Sequence, residues 1–187
     1  MNRAEPPGGQ IHHTDPFATP ERSRSPVRRL RGRLPAAVTV WTAYRPTEAD
    51  EPASPTGLTV SSTLVADGAP GRLLGLVDEE SELWAAVSGS RRFAVVPLGS
   101  AHRQLADRFA GLFPAPGGLF ATDEWTRTPY GPVLAGAGVG GWVGCRLDSA
   151  REYGWALLIE ATIETIELTG EAAPLLHHRG RYRELAD

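Results

Sequence analysis

Gly57-Leu58-Thr59-Val60-Ser61-Ser62-Thr63 is a strand-like run carrying four hydroxyls within the five residues Thr59–Thr63. It lies between Pro55-Thr56 and Leu64-Val65-Ala66-Asp67-Gly68-Ala69-Pro70. Such a density of hydroxyls is poor material for an apolar core and good material for lining a polar ligand at close range. Taken alone, the run also reads as a polar edge of a β-barrel.

Outward from this run, the chain reads mainly as strands. Ala37 to Ala43 alternates and is rich in β-branched residues, which predicts a strand. Tyr44 to Pro55 holds three prolines and acidic residues, and so predicts a loop. Arg72 to Val77 is nearly all apolar and predicts a strand buried on both faces. Glu80 to Ser88 has helical spacing with Ser81 as its cap, and Leu83, Trp84 and Val87 on one side. Arg92 to Leu98 predicts a strand. Ser100 to Gly111 predicts a helix capped by Ser100, with Leu105, Phe109 and Leu112 sharing a face. Residues 113–132 form a long loop rich in Pro and Gly, of the kind that serves as a lid or an interface arm. Val139–Leu147 and Tyr153–Leu168 read as strands, the second long enough to need a bulge near Ile159–Thr162. Pro174 to Leu185 closes the fold with a short strand or turn. Strands at this spacing, with two helices and hairpin-like breaks, predict a closed antiparallel barrel.

Residues 1–34 read as a flexible Arg/Pro-rich tail, with a short entry helix from Val27 to Leu34 packed on the domain, and residues 35–187 as one domain. Arg22, Arg24, Arg28, Arg29, Arg31 and Arg33 cluster in the tail, but few aromatics interleave with them. A solvated arm is therefore favoured over a nucleic-acid grip.

Composition narrows the chemistry. All 19 basic residues are arginine, which excludes Schiff-base lysines, a lysine general base and a P-loop lysine. The net charge of −3 gives no global support for nucleic-acid binding, so an oligonucleotide-binding barrel is the weakest reading. The single cysteine, Cys145, rules out a disulfide framework and sits in an apolar strand pattern, so it reads as a buried small hydrophobe. No apolar run is long enough to span a bilayer and no secretory pattern opens the chain, so a cytoplasmic location is expected. His177-His178 points to opposite faces of a strand and makes no metal pair. Glu164 and Glu167 are too weak a pair to argue acid–base catalysis.

Several of these pieces, in order and at compatible spacing, resemble the flavin reductase family. They are Ala37–Thr42, Gly57–Ser62, the strand ending Val77-Asp78, Ser81 and Trp84, Arg92-Phe93-Ala94-Val95 with Leu98, and Leu105–Ala110. Tyr130-Gly131-Pro132-Val133-Leu134, Cys145-Arg146-Leu147, Pro174-Leu175-Leu176 and Gly180-Arg181-Tyr182 complete the set, which spans residues 34–185. The resemblance implies a mainly β fold with flanking helices, the split β-barrel of the FMN-binding type, assembled as a homodimer. It implies hydride transfer from NADH or NADPH to FMN or FAD, and supply of reduced flavin to a partner monooxygenase. It places Thr59, Val60, Ser61, Ser62 and Thr63 at the flavin, Asp78 and Ser81 at its ribityl-phosphate, and Arg92 and Trp155 among the cofactor contacts. It offers no obligatory general base. Arg91 and Arg92 are the candidates to supply phosphate charge, because Glu79 stands where the family usually carries Arg or Lys, although Arg91 reads more readily as a solvent-facing charge at the strand start. Leu83 replaces a hydroxyl, Val96 an Asn, Trp155 the nicotinamide-side His and His177 an aromatic residue. The alternative is a split-barrel protein that binds flavin or another planar ligand with weak or no reductase activity.

Overall fold

The computed structural model describes residues 25–47, 53–135, 140–170 and 173–185. The expectations for most of the tail, including Arg22 and Arg24, and for Val139 lie outside these residues. In chain order the elements are α1 (Pro26–Arg33), β1 (Ala36–Ala37), β2 (Thr39–Tyr44), β3 (Pro55–Val60), β4 (Leu64–Ala66) and β5 (Arg72–Val77). Then come α2 (Glu82–Ser90), β6 (Arg92–Pro97), a 3-10 turn (Ser100–His102), α3 (Arg103–Phe109), β7 (Trp125–Arg127) and β8 (Pro132–Leu134). The chain ends with β9 (Gly141–Tyr153), β10 (Ala156–Leu168), β11 (Leu176–His178) and β12 (Arg181–Arg183).

Seven strands pair antiparallel in the order β3-β2-β6-β9-β10-β5-β4. Among the described residues the ladder does not close, which corrects the expectation of a closed antiparallel barrel drawn from strand spacing. Where the end of the β3 segment meets β5, a side chain joins them: the Ser62 hydroxyl bonds to both backbone groups of Leu76. The barrel is therefore split at this seam. Its interior holds Trp41 stacked on Phe93 with ring centroids 4.8 Å apart, and Leu73, Val77, Val95, Cys145, Leu147 and Ile159 around them. Gly75 is required here, because a Cβ on it would come within 2.5 Å of the Trp41 ring. A second apolar cluster covers the other side of the sheet, where Leu105, Ala106 and Phe109 of α3 pack on Val38, Val40, Ala94 and Val96.

β9 and β10 form a long hairpin whose turn is Gly154-Trp155, with Gly154 at φ 66°. A glycine at the first central position is what a type II′ turn demands. The expected bulge in the second strand appears as register shifts between Glu160 and Ala161 and between Ile163 and Thr165.

Four local expectations differ. β5 alternates instead of burying both faces: Leu73, Gly75 and Val77 point into the barrel, while Leu74 and Leu76 are half-buried. Ser100 caps nothing; the 3-10 turn follows Gly99 and passes directly into α3. The loop after α3 contains the β7–β8 hairpin. The helix α1 forms, capped by Ser25 and opened by Pro26, but buries no residue, so Val27, Leu30 and Leu34 stay exposed.

Candidate functional site

A cavity of about 770 Å³ opens on the outer side of the edge strand β3. Its walls come from segments distant in sequence: Arg45 after β2, Ser54–Leu58 at the start of β3, Glu80–Glu82 leading into α2, Arg108–Gly111 at the end of α3, and Gly117–Ala121 in the loop beyond. The volume lies within the range of about 300–1,000 Å³ typical of small-molecule sites.

Each wall has a local cause. The α3 helix seats on β3 at Gly57, where a Cβ would stand 2.6 Å from the Phe109 ring. The Thr59 hydroxyl ties the two together by donating to the Ala106 carbonyl at 2.7 Å. α3 then stops in a Schellman motif: Gly111, at φ 72°, donates to Arg108 O and Leu112 donates to Asp107 O, both at 3.0 Å. That turn leaves Leu112 exposed, contrary to the expected helix face, and swings the chain across the cavity. Phe109, Phe120 and Trp125 then pack together, with centroids 4.8–5.5 Å apart, and fix the loop. Arg108 pins the same loop through Asp123 at 2.6 Å.

On the opposite wall, Ser81 caps α2, accepting from Trp84 N at 3.1 Å. Its hydroxyl also donates to Asp78 O at 2.6 Å, and the Asp78 carboxylate accepts from Glu80 N at 2.9 Å. The β5–α2 loop is thus held by its own polar groups, with the positive end of α2 at the cavity. Arg45 bridges the mouth to Glu82 at 2.5 Å.

Of the nine residues expected at a ligand, only Ser81 lines this cavity. Thr59 and Asp78 frame it through the bonds just described. Val60 points into the barrel interior. Ser62 and Thr63 spend their hydroxyls on the fold, Thr63 against Thr39 and the Trp41 indole at 2.9 and 3.1 Å. Ser61 is half-buried in the same bend. Arg92 lies over the Tyr130 ring at 5.6 Å, and Trp155 stands 94% exposed at the β9–β10 turn. Sequence reading missed Arg45 and Arg108; it marked the loop 113–132 as a lid or interface arm, and the fold brings Gly117–Ala121 of that loop to the cavity wall.

Residues 31–186 match the family model described as "Flavin reductase like domain". The chain belongs to the flavin reductase family. A relative in Methylorubrum extorquens strain PA1, FMN reductase (NADH) RutF 2, is 31% identical over 173 residues, covering 92% of this chain and 94% of its own. FMN reductase (NADH) RutF of strain DSM 6343 / CIP 106787 / DM4 is also 31% identical, over 137 residues. That match takes in 73% of this chain and 65% of the relative, less than two thirds of its length. Among solved structures, flavin reductase PheA2 superposes with a TM-score of 0.73 at 22% identity, over 86% of this chain and 97% of its own. The NADH:FAD oxidoreductase SgcE6 of Streptomyces globisporus, solved in complex with NAD and FAD fragments, gives 0.73 at 23%, over 86% and 91%. The styrene monooxygenase flavin reductase of Pseudomonas putida S12 gives 0.73 at 18%, over 87% and 98%. The fold is that of the flavin reductases, the split β-barrel.

Proposed function

We propose that the protein is an NAD(P)H:flavin oxidoreductase that passes reduced FMN or FAD to a partner monooxygenase. The observation that carries this reading is the cavity on β3 within a flavin reductase fold. Its residues suit a flavin. β3 is an edge strand, so alternate N–H and C=O groups lie outside its ladder with β2 and are available to the amide edge of a flat ring. Leu58, Phe109, Leu119 and Phe120 offer apolar contact to the ring system. The start of α2 favours a nearby phosphate.

When bound, flavin accepts the hydride that NAD(P)H gives up, and with one proton from solvent becomes reduced flavin. The chain binds and orients rather than exchanging protons. Thr59 fixes the distance between β3 and α3, and thereby the width of the cleft. Ser81 and Asp78 shape the phosphate-side loop without needing to touch the ligand. The aromatic trio Phe109, Phe120 and Trp125 holds the outer wall and limits water. Ser61, Arg92 and Trp155 reach a ligand in this reading only where a second copy of the chain builds the other side of the cleft, while the hydroxyls of Ser62 and Thr63 stay with the fold.

That second copy is part of the proposal. The β4 edge exposes Leu64 and Val65, each 66% accessible, beside the split in the barrel. An uncovered apolar edge strand is a pairing surface. Residues 35–187 act as the folded unit, with residues 1–34 as an arm. No helix among the described residues is long and apolar enough to cross a membrane. A cytoplasmic setting is proposed on the unpaired Cys145.

A second reading, flavin binding with little turnover, is favoured by one observation. Trp155 projects from a turn where a histidine is expected and touches no part of the cavity. Titration of FMN and FAD into the purified protein, followed by flavin fluorescence and by sedimentation, tests the shared part of both readings. Saturable quenching by a dimer is expected. A monomer that leaves flavin fluorescence unchanged contradicts them.

A further inference from the structure

We infer that Arg45 grips the phosphate of the bound flavin nucleotide, and that Glu82 competes with that phosphate for its guanidinium. The inference rests on the flavin reading above and assigns the cation that Glu79 fails to provide. Two arginines line the cavity, Arg45 and Arg108. Arg108 is held elsewhere: its side chain is only 13% exposed, its Nη2 bonds Asp123 and so fixes the loop after α3, and its Nε is buried without a partner, out of reach of an exchanging solvent-side ligand. The two arginines expected from the sequence are also occupied. Arg91 adopts a left-handed conformation and donates to the carbonyls of Leu147 and Asp148 at 2.8 and 3.0 Å. Arg92 lies over Tyr130.

The hydroxyl beside the expected phosphate position cannot fill the gap. Ser81 Oγ donates its proton to Asp78 O and accepts from Trp84 N, so binding an anion there would break the loop. Arg45 is differently placed. Its backbone is fixed at the cavity wall by donation to Ser54 O at 2.9 Å, while its side chain is 48% exposed. Its partner Glu82 is 68% exposed, so the ion pair is screened by water and exchanges at little cost. Arg45 makes one bond to Glu82, and its planar fork can turn to a phosphate and make two parallel hydrogen bonds there. Glu80 and Glu82 both line the same wall, so phosphate enters only where Arg45 outweighs them.

FMN and riboflavin share the ring and ribityl chain and differ in the phosphate, which separates this inference from its parent. Dissociation constants for both are measured by flavin fluorescence quenching on the full chain, as wild type, Arg45→Gln and Glu82→Gln, with thermal unfolding recorded for each. Arg45→Gln is expected to weaken FMN roughly ten-fold, the loss of a charge-assisted bond, and to leave riboflavin unchanged. Glu82→Gln is expected to tighten FMN and leave riboflavin unchanged. Unaltered FMN affinity in Arg45→Gln, or equal weakening of both flavins in a folded variant, overturns the inference alone. Weaker FMN binding in Glu82→Gln removes the competition. A wild-type chain that binds neither flavin overturns the parent reading as well.

Discussion

The Ser62 hydroxyl accepts a hydrogen bond from the Leu76 amide at 2.9 Å and donates one to the Leu76 carbonyl at 3.1 Å. One side chain thus does for the β3–β5 seam what a pair of backbone bonds does inside a sheet. Replacing it with alanine leaves two partly buried backbone groups without that partner, at a cost of about 1–3 kcal/mol. Ser62→Ala should therefore lower the unfolding free energy, measured by denaturant titration, by that amount, with Ser62→Thr recovering much of it. A variant as stable as wild type would mean that the seam is held by packing alone.

Gly57 marks the contact between the cavity floor and α3. A methyl group there would stand 2.6 Å from a Phe109 ring carbon and 2.9 Å from the Trp41 carbonyl. Overpacking of this kind costs about 1–3 kcal/mol. Gly57→Ala should lose stability and also weaken flavin binding, because relief requires α3 to move from β3. Stability and affinity measured side by side test this; loss of stability with unchanged affinity places the ligand elsewhere.

How much of this was legible depends on the range of the interaction. The bulge in β10 is a local consequence of strand length, and Ser81 as a cap follows from its neighbours, but the turn at Gly154-Trp155 falls inside a segment read as strand, because β9 runs on to Tyr153. That residues 37–43 form a strand follows from their β-branched content, but the burial of β2 on both faces, Trp41 included, does not follow from alternation. The fates of Thr59, Ser62 and Thr63 were not legible. Their hydroxyls meet Ala106 O, Leu76 and Thr39, which lie 47, 14 and 24 residues away, and nothing in the run itself distinguishes a hydroxyl bound to protein from one offered to a ligand. Arg45 was hidden for the same reason. It sits in a proline-rich loop, and only the pairing of β2 with β3 and the packing of α2 bring it to Glu82. The run near residue 60 identified the family through its order among other motifs, although three of its four hydroxyls serve the fold.

Asp148 should make stability depend on acid. Burial raises its pKa, but the Thr162 hydroxyl and the Arg146 and Arg72 guanidiniums more than offset this, and the net shift is below the ordinary 3.8. Thr162 Oγ1 donates to the carboxylate at 2.7 Å, and Arg146 does so at 2.7 Å. A carboxyl with a lowered folded-state pKa stabilises fully above its unfolded value, and that contribution disappears as pH falls through the folded value. Asp148→Asn should be less stable than wild type at neutral pH, and the gap should begin to narrow near pH 3.8 and close only as pH falls through the lower folded-state value. A gap that persists unchanged into acid contradicts the ion-pair account.

Cys145 should be chemically silent in the folded protein. It is fully buried, and burial, with a further contribution from Glu164, pushes its thiol up to about 12. Since the thiolate is the reactive form, a disulfide reagent at neutral pH should find no thiol in the native protein and one per chain in denaturant. Rapid native labelling would show that the barrel interior opens.

The central claim is tested most directly by NADH oxidation in the purified full chain, with and without added FMN or FAD. The account predicts consumption that requires flavin, saturates with it and yields reduced flavin in equal amount, with NADPH run in parallel to establish the donor. Tight flavin binding with no NADH or NADPH consumption above the flavin-only background would contradict it and leave a flavin-binding split barrel without reductase activity.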